Sequence, residues 1–457
     1  MTASAEIEKL TLTETIDLRN KYVSKSCELF YKKNPLKIVR GRGQYLYDHE
    51  GREYLDCINN VSHVGHCHPD VVNAGVEQMH QLNTNSRFLH DNLVVCAEKI
   101  VSKMPESLSV CFFVNSGSEA NDLALRLARQ HTGNTDIVTL DHAYHGHLIS
   151  LIDISPYKFN LPGAPKKPDH VHVAPVPDVY RGKLRTDDYP EEDMGKLYAL
   201  EVKRIIDENV IGQRGQKVCA YIAESLQSCG GQIILPHNYL RDVYKYVREA
   251  GGLCIADEVQ VGFGRSGTHY WAFELDGSDI VPDIVTIGKP MGNGHPIAAV
   301  ITTEAVARSF EATGIQYFNT YGGNPVSCAI ANAVIDVLDK EKMMDNAKNV
   351  GEYLLSELKN MQNKFPDVIG DVRGVGFFVG IELIKNPKSK TPATEETREV
   401  VNRMKDEEGI LVSCDGPDVN VIKLKPPMVF DKGNADKLLK ALKKMISDIR
   451  TQRYQLL

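Results

Sequence analysis

The chain lacks the features that would commit it to a membrane, a nucleic acid or an oxidising compartment. No apolar run approaches the roughly 18–20 residues that a bilayer-spanning helix needs. No block of like charge runs through it and the net charge is −7, so no nucleic acid and no anionic membrane is expected as a partner. Tryptophan occurs once, and there are no repeats or low-complexity tracts. Ten cysteines are present, but no two are spaced as CxxC. Cys111, Cys219 and Cys254 sit inside apolar, strand-like runs, which suits reduced core residues of an intracellular protein rather than a disulfide framework. The N-terminus carries Glu6, Glu8, Glu14 and Asp17, acids that an Arg-rich mitochondrial transit peptide avoids. What remains is a globular chain of 457 residues, long enough for two or three domains with a large core.

From about residue 70 the pattern alternates between short apolar, β-branched runs and amphipathic stretches. Strands are expected at 110–114, 137–140, 218–223, 253–256, 284–287 and 298–301, and helices at 118–131, 237–249 and 325–340. That order predicts a doubly wound, mostly parallel α/β sheet with helices on both faces. Residues 155–195 are Pro-rich and polar and read as a long surface excursion. After residue 342 a long helix (343–363), strand-like 368–383, a helix at 395–408, short strands at 410–413 and 419–424 and a final helix from Asn434 predict a smaller α+β domain. A hairpin around His49-Glu50-Gly51, preceded by loose helical periodicity over 13–33, is expected to pack with it. The division expected is 1–69, 70–341 and 342–457.

Chemistry concentrates at the ends of the expected strands. Asp257 closes the apolar run Leu253–Ala256, and Lys289 follows Ile284–Ile287. In open α/β sheets ligands bind at the carboxyl ends of strands. An amine there can form a Schiff base with a carbonyl cofactor, and a carboxylate can hold a pyridinium nitrogen protonated. The pair suits pyridoxal phosphate, and a structural salt bridge at the sheet edge is the plain alternative. Asn115-Ser116-Gly117-Ser118-Glu119-Ala120-Asn121 lies between a strand and a helix, so it can bind an anion at the helix start or simply supply a Ser cap. Tyr144, in Asp141-His142-Ala143-Tyr144-His145-Gly146-His147, can stack on a planar ring or be half-buried filler. The histidines of 59–69 and 141–147 are not read as metal ligands, because neither loop has a second cluster to complete a site. Gly262-Phe263-Gly264-Arg265-Ser266-Gly267 spells GxGxxG but opens no amphipathic helix, which excludes a dinucleotide fingerprint.

Taken jointly, NSGSEAN at 115–121, YHG at 144–146, AESLQSCGG around Glu224, DEVQVGFGRSG at 257–267, GKPMGNGHP at 288–296 and NTYGGNP at 319–325 resemble the class-III aminotransferases, fold-type I pyridoxal-phosphate enzymes. The resemblance spans nearly the whole chain. It implies that Lys289 carries the cofactor and that Asp257 meets its ring nitrogen. Ser116, Gly117 and Ser118 would take its phosphate, with Thr320 from a second subunit. Tyr144 and Val259 would flank the ring, Gln260 would lie beside its phenolic oxygen, and Glu224 would belong to the same site. It also implies a homodimer with shared active sites, pairing into tetramers being left open.

Within the family the stretches at 57–69, 82–92, 123–130, 140–148 and 154–159 resemble the phospho-lyases that act on ethanolamine phosphate or 5-phosphohydroxylysine, usually assigned to mitochondria. Lys423, in VIKLKPP, stands where many class-III members place an Arg that grips a substrate carboxylate, and a lysine cannot make that forked contact. A small phosphorylated amine is therefore the expected substrate, losing phosphate by β-elimination; an alanine–glyoxylate or ω-amine aminotransferase is the alternative. Arg87, helped by Lys423 or Lys425, is the candidate cradle for the substrate phosphate.

Overall fold

The computed structural model describes residues 9–455. Glu6 and Glu8 of the N-terminal reading lie outside them, whereas Glu14 and Asp17 fall on the helix Leu12–Tyr22. That helix stops well short of residue 33; Val23, its C-cap, is already extended.

Seven strands form the main sheet, in the order Leu108–Val114, Ala298–Thr303, Ile284–Ile287, Leu253–Asp257, Val218–Glu224, Asp136–Leu140, Val171–Ala174. Only Ala298–Thr303 runs antiparallel to its neighbours. The sheet is thus mixed but mostly parallel, as expected. Every residue of Val218–Glu224 and Ile284–Ile287 is buried, which is why these runs read as continuous rather than alternating apolar sequence. The period of two still sorts side chains between faces. Cys254, Ala256, Val285 and Ile287 enter one core. Ile255 and Ile284 enter the other, together with Ala120, Leu123, Ala124 and Leu127 of the helix Gly117–Thr132. By the same parity Asp257 and Thr286 face that helix.

Local sequence explains where the helix begins and ends. The Ser116 hydroxyl accepts the Glu119 N–H at 3.1 Å, and Gly133 leaves the helix in the left-handed region at φ 68°, an N-cap and a glycine C-cap.

Two regions differ from expectation. The stretch 155–195 is not all surface excursion, because Val171–Ala174 joins the sheet edge parallel to Asp136–Leu140; four residues between prolines are too few to show a period. The strand-like run 368–383 is a hairpin of Ile369–Val375 and Phe378–Asn386, which turns at Gly376 with φ 53°. This hairpin forms an antiparallel sheet with Val421–Leu424 and Ser413–Asp415, accompanied by the helices Met343–Lys364, Thr394–Glu408 and Lys432–Gln455. The N-terminal strand Glu53–Asp56 pairs in parallel with Ile410–Leu411, so the two ends of the chain share a sheet.

Candidate active site

A cavity of about 370 Å³ opens along the carboxyl ends of the main sheet. Nine of the residues singled out from sequence line it: Ser116, Gly117, Ser118, Tyr144, Glu224, Asp257, Val259, Gln260 and Lys289. They arrive on five connections, each just beyond or at the last residue of a strand, because side chains at those positions clear the pleat and point into open space.

Asp257 sits 3% exposed at the end of its strand. It does not pair with Lys289, so the salt-bridge alternative is set aside. Its Oδ2 accepts from Asn121 Nδ2 at 2.8 Å and from His145 Nδ1 at 2.8 Å, and its Oδ1 accepts the Val259 N–H at 3.1 Å. A carboxylate only accepts, so His145 carries its proton on Nδ1. Asn121 is fixed in turn, its Oδ1 accepting the Thr286 hydroxyl at 2.7 Å. These contacts fill three of about four acceptor positions on the carboxylate. Capacity for one further donor remains on a group that lines the cavity, which is what a protonated ring nitrogen requires.

The helix start opposite fits an anion. Gly117 has no room for a side chain, since a Cβ there would lie 2.6 Å from Val259 Cγ1. Ser118 Oγ accepts the His147 N–H at 3.2 Å. Gly146 is held at φ 137°, where a Cβ would meet Ser118 Oγ at 2.5 Å. Bare backbone with free N–H groups at a helix N-terminus is a phosphate cradle. Gly117→Ala is expected to weaken pyridoxal phosphate binding by about tenfold or more, about 1.4 kcal/mol, checked by equilibrium dialysis; unchanged affinity would place the phosphate elsewhere.

Lys289 is half-buried, and burial lowers its pKa against the opposing pull of the Cys229, Asp257 and Glu224 charges. A neutral, nucleophilic amine is correspondingly easier to reach than on a surface lysine. Burial, and next the Asp257 charge, raise the Glu224 pKa. Glu224 ties two loops together, accepting the Tyr144 N–H at 3.3 Å and the Ser228 N–H at 3.1 Å. Tyr144 packs edge-on against Tyr157, with ring centroids 5.9 Å apart.

Four singled-out residues do not line this cavity: Thr320, Arg87, Lys423 and Lys425, the last being buried with its Nζ on Gln260 and Ser228. Thr320 is exposed. Arg87 is also exposed, with its guanidinium 4.3 Å above the Phe318 ring. Lys423 is buried and bonded to Asp415 at 2.6 Å; burial opposes its charge, but Asp415 outweighs it and the pKa stands above the ordinary lysine value. The residues that sequence reasoning missed are His145 and Asn121. Both lay inside motifs already noted, yet nothing local ties either to an aspartate more than a hundred positions away.

The histidine-rich loops serve separate partners. His63 accepts from Arg265 on Nδ1 at 3.1 Å and donates from Nε2 to the Phe263 carbonyl at 2.7 Å; His66 pairs with Asp56 and His68 with Glu341. Among the described residues no group of three or more His, Cys, Asp or Glu could hold a metal. The GxGxxG at 262–267 is a run of turns in which Arg265 is fully buried and donates to the Pro426 carbonyl at 2.8 Å.

Comparison with known proteins gives the family. The model of the family "Aminotransferase class-III" matches residues 30–446. A Drosophila melanogaster protein named alanine–glyoxylate aminotransferase 2-like is 59% identical over 98% of this chain and 89% of its own length. A Caenorhabditis elegans protein named ethanolamine-phosphate phospho-lyase homolog 1 is 44% identical over 97% and 96%. An Arabidopsis thaliana protein named alanine–glyoxylate aminotransferase 2 homolog 2, mitochondrial, is 41% identical over 93% and 85%. A phospholyase from Arthrobacter, solved in complex with phosphoethanolamine, superposes with a TM-score of 0.88 at 38% identity, covering 95% of this chain and 99% of that one. The fold is the fold-type I arrangement of pyridoxal-phosphate enzymes. The chain belongs to the class-III aminotransferase family and is a pyridoxal-phosphate-dependent enzyme.

Proposed function

We propose that this enzyme is a phospho-lyase that eliminates phosphate from O-phosphoethanolamine, giving acetaldehyde, ammonia and phosphate. The observation that carries the choice over an amino-acid aminotransferase is the 2.6 Å pairing of Lys423 with Asp415. A carboxylate on the reacting carbon is best held by a forked, unpaired guanidinium. Here that place has a lysine whose charge is already taken, which suits an amine with no carboxylate beside the reacting carbon. The phospho-lyase relatives support the same reading.

Pyridoxal phosphate, when bound, supplies an aldehyde that takes up amines and a protonated ring that draws electrons from the carbon next to nitrogen. In this reading Gly117, Ser118 and the Ser116 cap hold its phosphate, Tyr144 and Val259 flank its ring, and Lys289 anchors it. Asp257, braced by His145 and Asn121, keeps the proton on the ring nitrogen. Lys289, freed by the incoming amine, removes a proton from the carbon next to nitrogen. The C–O bond on the neighbouring carbon then breaks, its electron pair leaving with phosphate. A proton is returned to the carbon that lost phosphate, and water then displaces nitrogen to release aldehyde and ammonia. No oxo acid is consumed.

Homodimerisation and a mitochondrial setting belong to the same proposal. Val76, Met79, Leu82, Phe88, Leu89 and Tyr321 are large apolar side chains left exposed in the single chain, a surface that suits a second copy. A second copy would also bring Arg87 and Thr320 to a site. The division at residues 69 and 341 is proposed with it, the middle unit holding the cofactor.

The test is direct. Purified enzyme is incubated with O-phosphoethanolamine or 5-phosphohydroxylysine without oxo acid, and free phosphate and aldehyde are followed. Release from phosphoethanolamine is expected. Release from phosphohydroxylysine alone would move the substrate assignment, and turnover only of an amino donor with pyruvate or glyoxylate would make the enzyme an aminotransferase. Arg87→Ala is expected to raise KM for the phosphorylated amine about tenfold, the loss of one charge-assisted contact, with the cofactor's visible absorbance unchanged. Equal loss of both would remove Arg87 from the substrate site.

A further inference from the structure

Lys425 follows the strand Val421–Leu424 and is 5% exposed. Its Nζ lies 2.8 Å from Gln260 Oε1 and 3.1 Å from Ser228 Oγ. Both partners are neutral. The Ser228 hydroxyl donates to Gln232 Oε1 at 2.9 Å, so its oxygen accepts from Lys425. A buried lysine without an acid is costly, and an apolar residue of similar size would pack there at less cost. Burial, reinforced by the nearby Lys423 and Lys289 charges, pushes its pKa well below the ordinary lysine value.

The effect of the contact falls on Gln260, which lines the cavity. An amide oxygen has two lone pairs. Lys425 takes one, and Asn60 Nδ2, 3.1 Å away, takes the other. That decides which end of the amide points where: the oxygen is committed to Lys425 and Asn60, and the NH₂ remains for the cavity. An amide turned the other way would set NH₂ against two donors.

We propose that Lys425, together with Asn60, is a positioning residue that holds Gln260 with its amide nitrogen toward the cavity, as a hydrogen-bond donor to an anionic oxygen on the cofactor ring. This rests on the cofactor lying in the cavity described above. A fixed donor at that oxygen favours the more anionic form of the bound cofactor. It therefore lowers the pH at which the cofactor's visible absorbance changes.

The experiment uses the full-length holoenzyme. K425M removes the donor and keeps the side chain's length. The dissociation constant for pyridoxal phosphate is expected to rise about tenfold, and the midpoint of the absorbance change to move up by about one pH unit. K425Q, which retains an N–H for Gln260, should recover most of both. In a Q260A background K425M should add less than about twofold, because the residue it positions is gone. N60A should shift both readouts in the same direction by less, and carries the test if K425M fails to fold. A K425M protein within about twofold of wild type in affinity with an unmoved midpoint, or a full K425M effect persisting in Q260A, overturns the proposal. Wild-type protein that takes up no cofactor overturns the placement of the site itself, and this inference with it.

Discussion

Lys289→Ala is expected to lower the rate of phosphate release on the order of 10³-fold or more, a loss that includes the typical contribution of a positioned general base. The variant loses two functions at once. It has no amine to anchor the cofactor, and none to take the proton from the carbon beside nitrogen. Its neighbourhood supports both: the side chain lines the cavity, and burial lowers its pKa, so the amine is neutral at a lower pH than an exposed lysine. The cofactor should still bind, because the phosphate cradle and Asp257 are untouched, but reversibly. Borohydride reduction followed by peptide mapping is the decisive measurement. Wild type should be labelled at position 289 and the variant not at all. A label on another lysine, or a variant with near-normal turnover, would remove Lys289 from the chemistry and the proposed mechanism with it.

Asp257 should give the second largest effect. Asp257→Ala takes away the carboxylate proposed to meet the ring nitrogen, and a rate loss on the order of 10²–10³-fold is expected from losing one preorganised electrostatic group. It also orphans the Asn121 amide and the His145 ring, both buried, at about 1–3 kcal/mol for each unsatisfied donor. The thermal midpoint should therefore fall together with activity. Asp257→Asn separates the effects: it keeps the volume and one acceptor oxygen but cannot keep a ring nitrogen protonated. The expected outcome is a much smaller loss of Tm than in the alanine variant with a similar loss of rate. A Tm-neutral, rate-neutral asparagine variant would mean that the carboxylate is structural only.

His145 and Asn121 show where sequence reading ends. The partners of Asp257 stand 112 and 136 positions away. Setting aside a metal role for the His145 loop did not reveal this contact, because a histidine's function depends on what its ring meets. Arg87 shows a related limit. Its loop matched the phospho-lyase pattern, yet in the single chain the guanidinium lies over Phe318, away from the cavity.

The amino-acid order alone determined the mostly parallel α/β sheet and nine of the residues that line the cavity. The sheet, Asp257 and Lys289 follow from local rules, since an apolar run makes a buried strand and the residue at its end lies at the carboxyl edge where ligands bind; Glu224, Val259 and Gln260 were implied by the resemblance of their motifs to the family. Strand order and the parity of each side chain on the sheet decided the rest. They turned Asp257 and Thr286 toward Asn121. The C-terminal segment then brought Lys425 against Gln260, 165 positions away, and left Lys423 closed by Asp415. The contacts of Asn121 and of Lys425 join elements more than a hundred positions apart, and that of Lys423 depends on the pairing of two strands, so none of them is legible in a local window.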